Sequence, residues 1–497
     1  MTKKPIKPKP RTVKGFKDSL WGESFNRRMM LERIQAVYEL YGFQQIETPA
    51  LEYVDVLGKF LPDGDTPEEG IFAFESEDEW VALRYDLTAP LSRVIAQYQD
   101  LPTPFRRYQI GKVWRLEKPG AGRFREFTQF DIDTVGTTSI LADCEVCAAL
   151  VDAFEALGIE KKDFEVKISN RKIVNGVLES AGIEVRNNDG SLSDLAQNVL
   201  RSIDKLDRLG INGVTQLLTS GRKDKSGAFI KGAELSDREV DVIVQFLEVP
   251  RNSRSEVLDA LSEFMKESSE GHTGLEELRE MDSYLNDMGY DEDTILFAPT
   301  VVRGMAYYTG PVFEANLTFE IKDEKNRKRE FGSVAGGGRY DDLIERFTGQ
   351  KTPATGISIG VDRLLAALST IKQNKDTLIN APVVVTVMDS DKISDYIKIT
   401  SELRSSGISA ETYLGSGGFN KQMKYADKRG AAVAVIVGSD EFAKDQVTVK
   451  DLMLGKELSE SFQERKEWLA EQPSQVTVPR SDLIKTVSQI LARYQSE

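Results

Sequence analysis

The hydrophobic pattern is sharpest between Arg107 and Asp133, RYQIGKVWRLEKPGAGRFREFTQFDID, where apolar and polar residues alternate in two runs around a Pro/Gly break. Alternation at period two on both sides of KPGAG predicts a β-hairpin with those residues as its loop. Residues two apart share a face of a strand. One face of the second strand then carries Arg123, Arg125, Phe127, Gln129, Asp131 and Asp133, and the other carries Phe124, Glu126, Thr128, Phe130 and Ile132. With Glu117 opposite Arg123, the first strand adds Arg115, Val113, Gly111 and Gln109 to the polar face. Cations collect at the loop end of that face and carboxylates at the far end.

A solvated sheet face normally mixes signs so that charges pair across strands. Segregation along the strand instead suits a ligand with an anionic end, a flat ring and a cationic end. Phe127 and the gap at Gly111 give the ring a place to lie. At ~3.3 Å per residue the slot is roughly 20 Å long or more, enough for ATP laid end to end with a small amine.

The rest of the chain reads as further α/β units. Phe25, Met29, Met30, Ile34, Val37, Tyr38 and Tyr41 recur at helical spacing, predicting a long amphipathic helix that stops at Gly42. FQQIETPALEY is a short strand that ends or bends at Pro49, and WVALRYDLTAPLSRVIAQYQ is a strand running into a helix. Residues 171–291 are helical in pattern with few strand signals and read as an inserted module. DLAQNVLRSIDKLDRLG, LSDREVDVIVQFLEV, SEVLDALSEFMK and LEELREMDSYLNDMG are each amphipathic there. Strand character returns at ILFAPTVVRGMAYYTGPVFEANLTFEI. FGSVAGGGRYDDLIERF and ATGISIGVDRLLAAL each read as strand, glycine turn and helix. Residues 381–497 begin a small α/β domain, in which DQVTVKDLMLGKE reads as a hairpin.

Length and composition narrow the chemistry. At 497 residues the chain is long enough for several domains. No apolar run approaches the ~18 residues of a membrane span, and the basic start MTKKPIKPKPRTVKGF lacks the apolar core of a secretory signal. The net charge of −15 argues against a nonspecific nucleic-acid coat but permits local basic patches, such as this N-terminal arm, to meet phosphate; neither DNA nor a membrane is an expected partner. Cys144 and Cys147 lie at helical spacing with Val146, Leu150, Val151 and Phe154 and read as packing, and so few cysteines suit a reducing cytoplasm. The single histidine, His272, reads as a solvated loop residue, which removes Ser-His, Cys-His and His-rich zinc mechanisms.

Several residues carry candidate chemistry alongside a plainer reading. Asp86 and Thr88, at a strand-to-helix junction, cap the helix or hold an ammonium group. Arg303 stands beside Tyr307 and Tyr308 between β-branched runs, and a buried arginine there needs an anionic partner. Arg363, in the first turn after a glycine strand, reaches a phosphate or caps a neighbour. Gly336–Gly338 match neither a G-x-G-x-x-G nor a P-loop pattern. Lys421, Lys424, Lys428 and Arg429 ride on one helix, either as a solvated face or as an RNA contact.

Together these segments resemble the class II aminoacyl-tRNA synthetases. WRLE with GRFREFTQFDID is similar to motif 2, ATGISIGVDRLL to motif 3, and the long helix with FQQIETPALEY to motif 1. VVRGMAYYTGPVFE and LRYDLTAP resemble the amino-acid-site segments of histidyl-tRNA synthetases, and FGSVAGGGRYDDL and KQMKYADKRGAAVAVIVG match that family too.

The resemblance implies a mixed α/β (α+β) chain. Its catalytic domain is an antiparallel sheet in two parts, 1–170 and 292–375, around a helical insertion at 171–291, with an α/β anticodon-binding domain at 381–497. It implies a cytoplasmic homodimer acting on histidine, ATP with Mg²⁺, and tRNA(His), with no resident metal. Arg115, Glu117, Arg123, Phe127 and Arg363 would bind ATP. Asp86, Thr88, Gln129, Asp133, Arg303, Tyr307 and Tyr308 would bind histidine, and Arg115, Arg303 and Arg363 would serve catalysis. Ala306 stands where the family commonly has an acid, which keeps a second class in view: a non-catalytic paralogue, such as the regulatory subunit of ATP phosphoribosyltransferase or a histidine or tRNA sensor.

Overall fold

The computed structural model describes residues 9–57, 70–118, 123–188, 190–223, 227, 229–250, 252–302, 308–322, 328–371, 381–461 and 474–494. They form two compact units, one of residues 1–19 and 27–370, the other of 20–26 and 371–497.

The first unit is built on strands β1 (Gln44–Gln45), β2 (Leu51–Tyr53), β3 (Phe72–Ser76), β4 (Glu79–Leu83), β5 (Phe105–Trp114), β6 (Glu126–Val135), β7 (Phe164–Asn170), β8 (Gly221–Lys223), β9 (Phe229–Lys231), β10 (Ile295–Phe297), β11 (Pro311–Lys322), β12 (Lys328–Arg339) and β13 (Ala354–Gly360). The main sheet is eight-stranded in the order β1-β5-β6-β13-β12-β11-β7-β10. It is antiparallel except at its edges, where β1 runs parallel to β5 and β10 to β7. The split of FQQIETPALEY into β1 and β2 falls around Pro49, which has no N–H to give a ladder.

Alternation decides the two faces of β6. Its even residues Phe130 and Ile132 are fully buried beneath the sheet in one cluster with Ile34, Val37 and Tyr38 of the helix Trp21–Leu40 and with the buried face of the helix Leu141–Ala156. Cys144 and Cys147 lie in that cluster as free, buried thiols, and burial pushes both well above the ordinary thiol range. The odd residues of β6 face the other way.

The helical stretch comprises Arg171–Ser180, Asp194–Ile203, Leu206–Leu218, Asp237–Leu247, Arg254–Phe264 and Ser269–Asp287. Asn170, Ser193, Ser236, Ser253 and Ser268 start five of these by accepting a first-turn backbone N–H. Its core residues, among them Val199, Ile243, Phe246 and Leu261, belong to the same hydrophobic cluster as the sheet. Arg254 fastens it further: the fully buried guanidinium pairs with Asp282 at 2.6 Å and donates to the carbonyl of Ile295, on β10, at 2.9 Å. Two expectations change here. β8 and β9 form a small antiparallel hairpin inside the stretch. His272 is exposed, as expected, but lies in the first turn of the helix Ser269–Asp287, because Ser268 caps Gly271 N–H at 2.9 Å and so starts the helix ahead of it.

The second unit is a five-stranded sheet, β15-β14-β16-β17-β18, of β14 (Val383–Val385), β15 (Ala410–Thr412), β16 (Val433–Ile436), β17 (Gln446–Asp451) and β18 (Gln475–Pro479). Helices Ile393–Ser405 and Leu483–Ala492 contribute to its core. DQVTVKDLMLGKE is not a hairpin. Only its first half is strand; Asp451 Oδ1 then accepts the N–H of Leu454 at 2.9 Å and starts the helix Leu452–Ser461, while β17 pairs with β18. Lys421, Lys424 and Lys428 are exposed along one face of the helix Phe419–Arg429, and Arg429 pairs with Glu411 at 3.3 Å.

Candidate functional site

The odd face of β6 lines a cavity of about 480 Å³. Register builds it. Val113 lies opposite Phe127, Gly111 opposite Gln129, Gln109 opposite Asp131 and Arg107 opposite Asp133, the pairing that follows from setting Glu117 against Arg123. On its other side β6 meets β13, with Gly356 beside Asp133, Ser358 beside Asp131 and Gly360 beside Gln129. Small residues keep this floor low. A Cβ on Gly356 would stand 2.1 Å from Asp133 Oδ1, and one on Gly337 would stand 2.1 Å from the carbonyl of Gly356. Gly336–Gly338 are therefore strand residues of β12, paired on both sides rather than forming a turn. β13 likewise runs straight into the helix Val361–Ile371 with no turn between them.

The cavity is acidic at one end and basic at the other. Asp86, Asp131 and Asp133 line the first, and Arg115, Arg123 and Arg363 the second, with Glu117 among them and Phe127 and Gln129 between. Thr88 and Tyr308 also line it. Arg303 and Tyr307, together with Ala306, lie outside the described residues.

Burial sets the chemistry of the acidic end. Arg107, fully buried, places Nη2 2.7 Å from Asp133 Oδ2, and the Tyr340 hydroxyl donates to Asp133 Oδ1. Burial pushes Asp133 above the ordinary carboxylate range, and Arg107 and Tyr340 pull it back. Asp131 is pushed up to about 7, chiefly by burial, against the pull of Arg107. Asp86 is also raised by burial; its Oδ1 accepts the N–H groups of Ala89 at 2.9 Å and Thr88 at 3.1 Å, so it caps the helix Thr88–Gln97 while facing the cavity. Gln129 donates its amide to Ser358.

At the basic end the Arg115 guanidinium lies over the Phe127 ring, 5.2 Å from its centroid, and its Nε donates to Tyr85 O at 3.1 Å. Arg363 donates to Phe331 O at 2.6 Å. Glu117 and Arg123 are exposed at the mouth. Among the described residues no group of three His, Cys, Asp or Glu side chains is placed to hold a metal ion.

One expectation about the slot is corrected. The gap at Gly111 does not receive a ring, because Arg84 fills it: a Cβ on Gly111 would stand 2.5 Å from Arg84 Nη2. That guanidinium clamps the neighbouring backbone, donating to Thr48 O at 2.7 Å, Lys112 O at 3.0 Å and Pro49 O at 3.2 Å. Arg107 and Tyr340 were not singled out from sequence. Arg107 follows from the hairpin register two residues beyond Gln109. Tyr340 has no comparable signal, since it comes from the end of β12, 207 residues from Asp133.

Comparison with known proteins agrees with this architecture. The family model for histidyl-tRNA synthetase matches residues 15–364, and that for the anticodon-binding domain matches residues 382–490. A histidine–tRNA ligase of Dinoroseobacter shibae is 53% identical, with 99% of each chain covered. One from Roseobacter denitrificans is 52% identical, covering 100% of this chain and 99% of the relative. The crystal structure of histidyl-tRNA synthetase from Nostoc sp. PCC 7120 superposes with a TM-score of 0.75 at 30% identity, covering 97% of this chain and all of that one. The chain belongs to the histidyl-tRNA synthetase family.

Proposed function

We propose that the chain ligates histidine to tRNA(His). It activates histidine with ATP to histidyl-adenylate and pyrophosphate, then transfers the histidyl group to the 3′ end of the tRNA. The observation that carries this reading is the segregation of charge in a single cavity, carboxylates at one end and arginines at the other with Phe127 between them.

ATP would stack its adenine on Phe127, bounded by Glu117 and Arg363. Arg115 would meet the α-phosphate, and Arg123 and Arg363 the β- and γ-phosphates. Mg²⁺ would arrive on the triphosphate, supplying charge neutralisation there. The histidine ammonium would sit on Asp86, Thr88 and Gln129, and its ring between Asp133 and Tyr308, with Tyr307 close by. Selectivity would rest on buried polar groups, which a substrate lacking ring nitrogens leaves unpaired.

The carboxylate oxygen of histidine attacks the α-phosphorus in line as the bond to pyrophosphate breaks. No side chain needs to act as a covalent nucleophile. Arg115 and Arg303 would hold the charge that grows on the phosphorus oxygens, so catalysis is positioning and preorganised electrostatics. A homodimer, contact of the helical stretch 171–291 with the tRNA acceptor stem, and contact of Lys421, Lys424 and Lys428 with the anticodon arm belong to the same reading. The regulatory-subunit alternative is not favoured: relatives named as ligases align end to end, and the anticodon-binding domain is present.

The test is ATP–pyrophosphate exchange with purified protein and Mg²⁺, offering each of the twenty amino acids without tRNA. Exchange with histidine alone is expected. A folded chain that binds histidine yet exchanges with none of them would replace this reading with a sensor.

A further inference from the structure

The acidic end holds one carboxylate more than the proposed histidine contacts use. Asp133 has a counter-charge and a donor of its own: the Arg107 guanidinium forms an ion pair with Oδ2 at 2.7 Å, though not a hydrogen bond, and the Tyr340 hydroxyl donates to Oδ1. Asp131, two residues earlier on the same face of β6, lines the cavity while only 2% exposed, and its Oδ1 has no hydrogen-bond partner among the described residues. A buried acceptor without a donor is costly. Its neighbours leave it short. Gln109, opposite on β5, commits its amide to Thr48 at 2.9 Å, and Arg107 turns its Nη2 to Asp133 and to Leu87 O at 3.2 Å, while its Nε and Nη1 make no hydrogen bond to Asp131 among the described residues. Ser358, opposite on β13, offers Asp131 a single hydroxyl proton.

Position along the strand indicates the missing donor. Gln129, Asp131 and Asp133 follow one another at about 6.6 Å per step of two residues. If the ammonium lies at Gln129 and Asp86 and the ring at Asp133, Asp131 faces the ring.

We infer, resting on the histidine-activation reading, that Asp131 is a further specificity-determining substrate contact, accepting an N–H of the imidazole ring, while Asp133 is held in place by Arg107 and Tyr340. A ring nitrogen is the donor that an analogue without it lacks, so the carboxylate would be left buried and unpaired beside the wrong amino acid.

The test uses the full chain with Asp131→Asn, close to isosteric, and Asp131→Ala, in histidine-dependent ATP–pyrophosphate exchange. The KM for histidine is expected to rise roughly tenfold to a hundredfold, the range for a hydrogen bond to a charged group, with the KM for ATP unchanged. A binding readout separates contact from mere structure. The unmodified chain should discriminate between histidine methylated on one ring nitrogen and on the other, and Asp131→Ala should lose most of that discrimination. If Asp131→Ala fails to fold, the same loss is read in Asp131→Asn. Unchanged histidine KM and unchanged discrimination would overturn the assignment of Asp131 alone, whereas absence of histidine-dependent exchange in the unmodified chain would overturn the reading on which it rests.

Discussion

Arg27 reaches Oδ1 of Asp362 at 2.7 Å, and both side chains are only 15% exposed. The other oxygen of Asp362 accepts the backbone N–H of Thr128 at 2.6 Å. A single carboxylate thereby ties the start of the helix that carries Arg363 to the strand segment between Phe127 and Gln129. Arg27 also donates to Ser19 at 3.1 Å, extending the link to the N-terminal segment, where Gly15 O accepts the N–H of Arg125 at 2.8 Å.

Arg27→Met should therefore loosen the basic end. We expect the KM for ATP in pyrophosphate exchange to rise about tenfold while that for histidine changes little, with a stability loss of about 2–4 kcal/mol because the pair keeps some exposure. Arg27→Lys should restore most of both. A proportional loss in both substrates would show instead that the whole site collapses.

Arg107 is the counter-charge inside the acidic end. Removing it as Arg107→Met leaves Asp133 buried without its cation and should cost about 3–5 kcal/mol in urea unfolding. Adding Asp133→Asn should recover part of that loss, because the partner left behind is then neutral. A double-mutant cycle with no coupling would contradict the pairing.

Asp131 should make stability fall as pH rises. In the unfolded chain it ionises near its ordinary value, about 4; in the folded chain at about 7. Between the two the folded state holds the extra proton, so the contribution is fully present below about pH 4 and is lost as pH rises to about 7. Arg84, Arg107, Asp86, Asp133, Tyr38 and Tyr340 act on the same carboxyl or its neighbour. Asp131→Asn isolates its share: its unfolding free energy should change less with pH over this range. Histidine binding near pH 6.5 should release a proton in the unmodified chain and less in the variant, as read by calorimetry in two buffers.

Gly356→Ala should damage the acidic end, since the new methyl would meet Asp133 Oδ1 at 2.1 Å and Ile132 O at 2.5 Å. Overpacking of this kind costs about 1–3 kcal/mol. The accompanying rise in histidine KM should exceed any change in ATP KM, and equal effects would speak against a local clash.

Much of the site could be read from alternation alone. The hairpin register, the charge gradient and the position of Phe127 depend only on residues that are near in sequence, and a period of two sorts them without ambiguity. Side chains that arrive from distant elements could not be found that way. Arg84 takes the space at Gly111 from another strand's end, Tyr340 reaches Asp133 across the sheet, and Asp362 grips Thr128 from the far side of the chain. The glycine triplet misled for a related reason: glycine favours turns locally, but here two flanking backbones leave no room for a Cβ. His272 and the segment after Asp451 depart from the local pattern because single capping side chains decide where those helices start.

The chain's only imidazole is on His272, exposed on a helix and absent from the lining of the cavity. A nuclear magnetic resonance spectrum in the histidine ring region would thus contain one set of protein ring signals, from an exposed side chain. On the proposed reading, a second set of ring signals appearing with added histidine would belong to the bound amino acid, so its tautomer and charge can be watched directly, without isotope editing against a protein background.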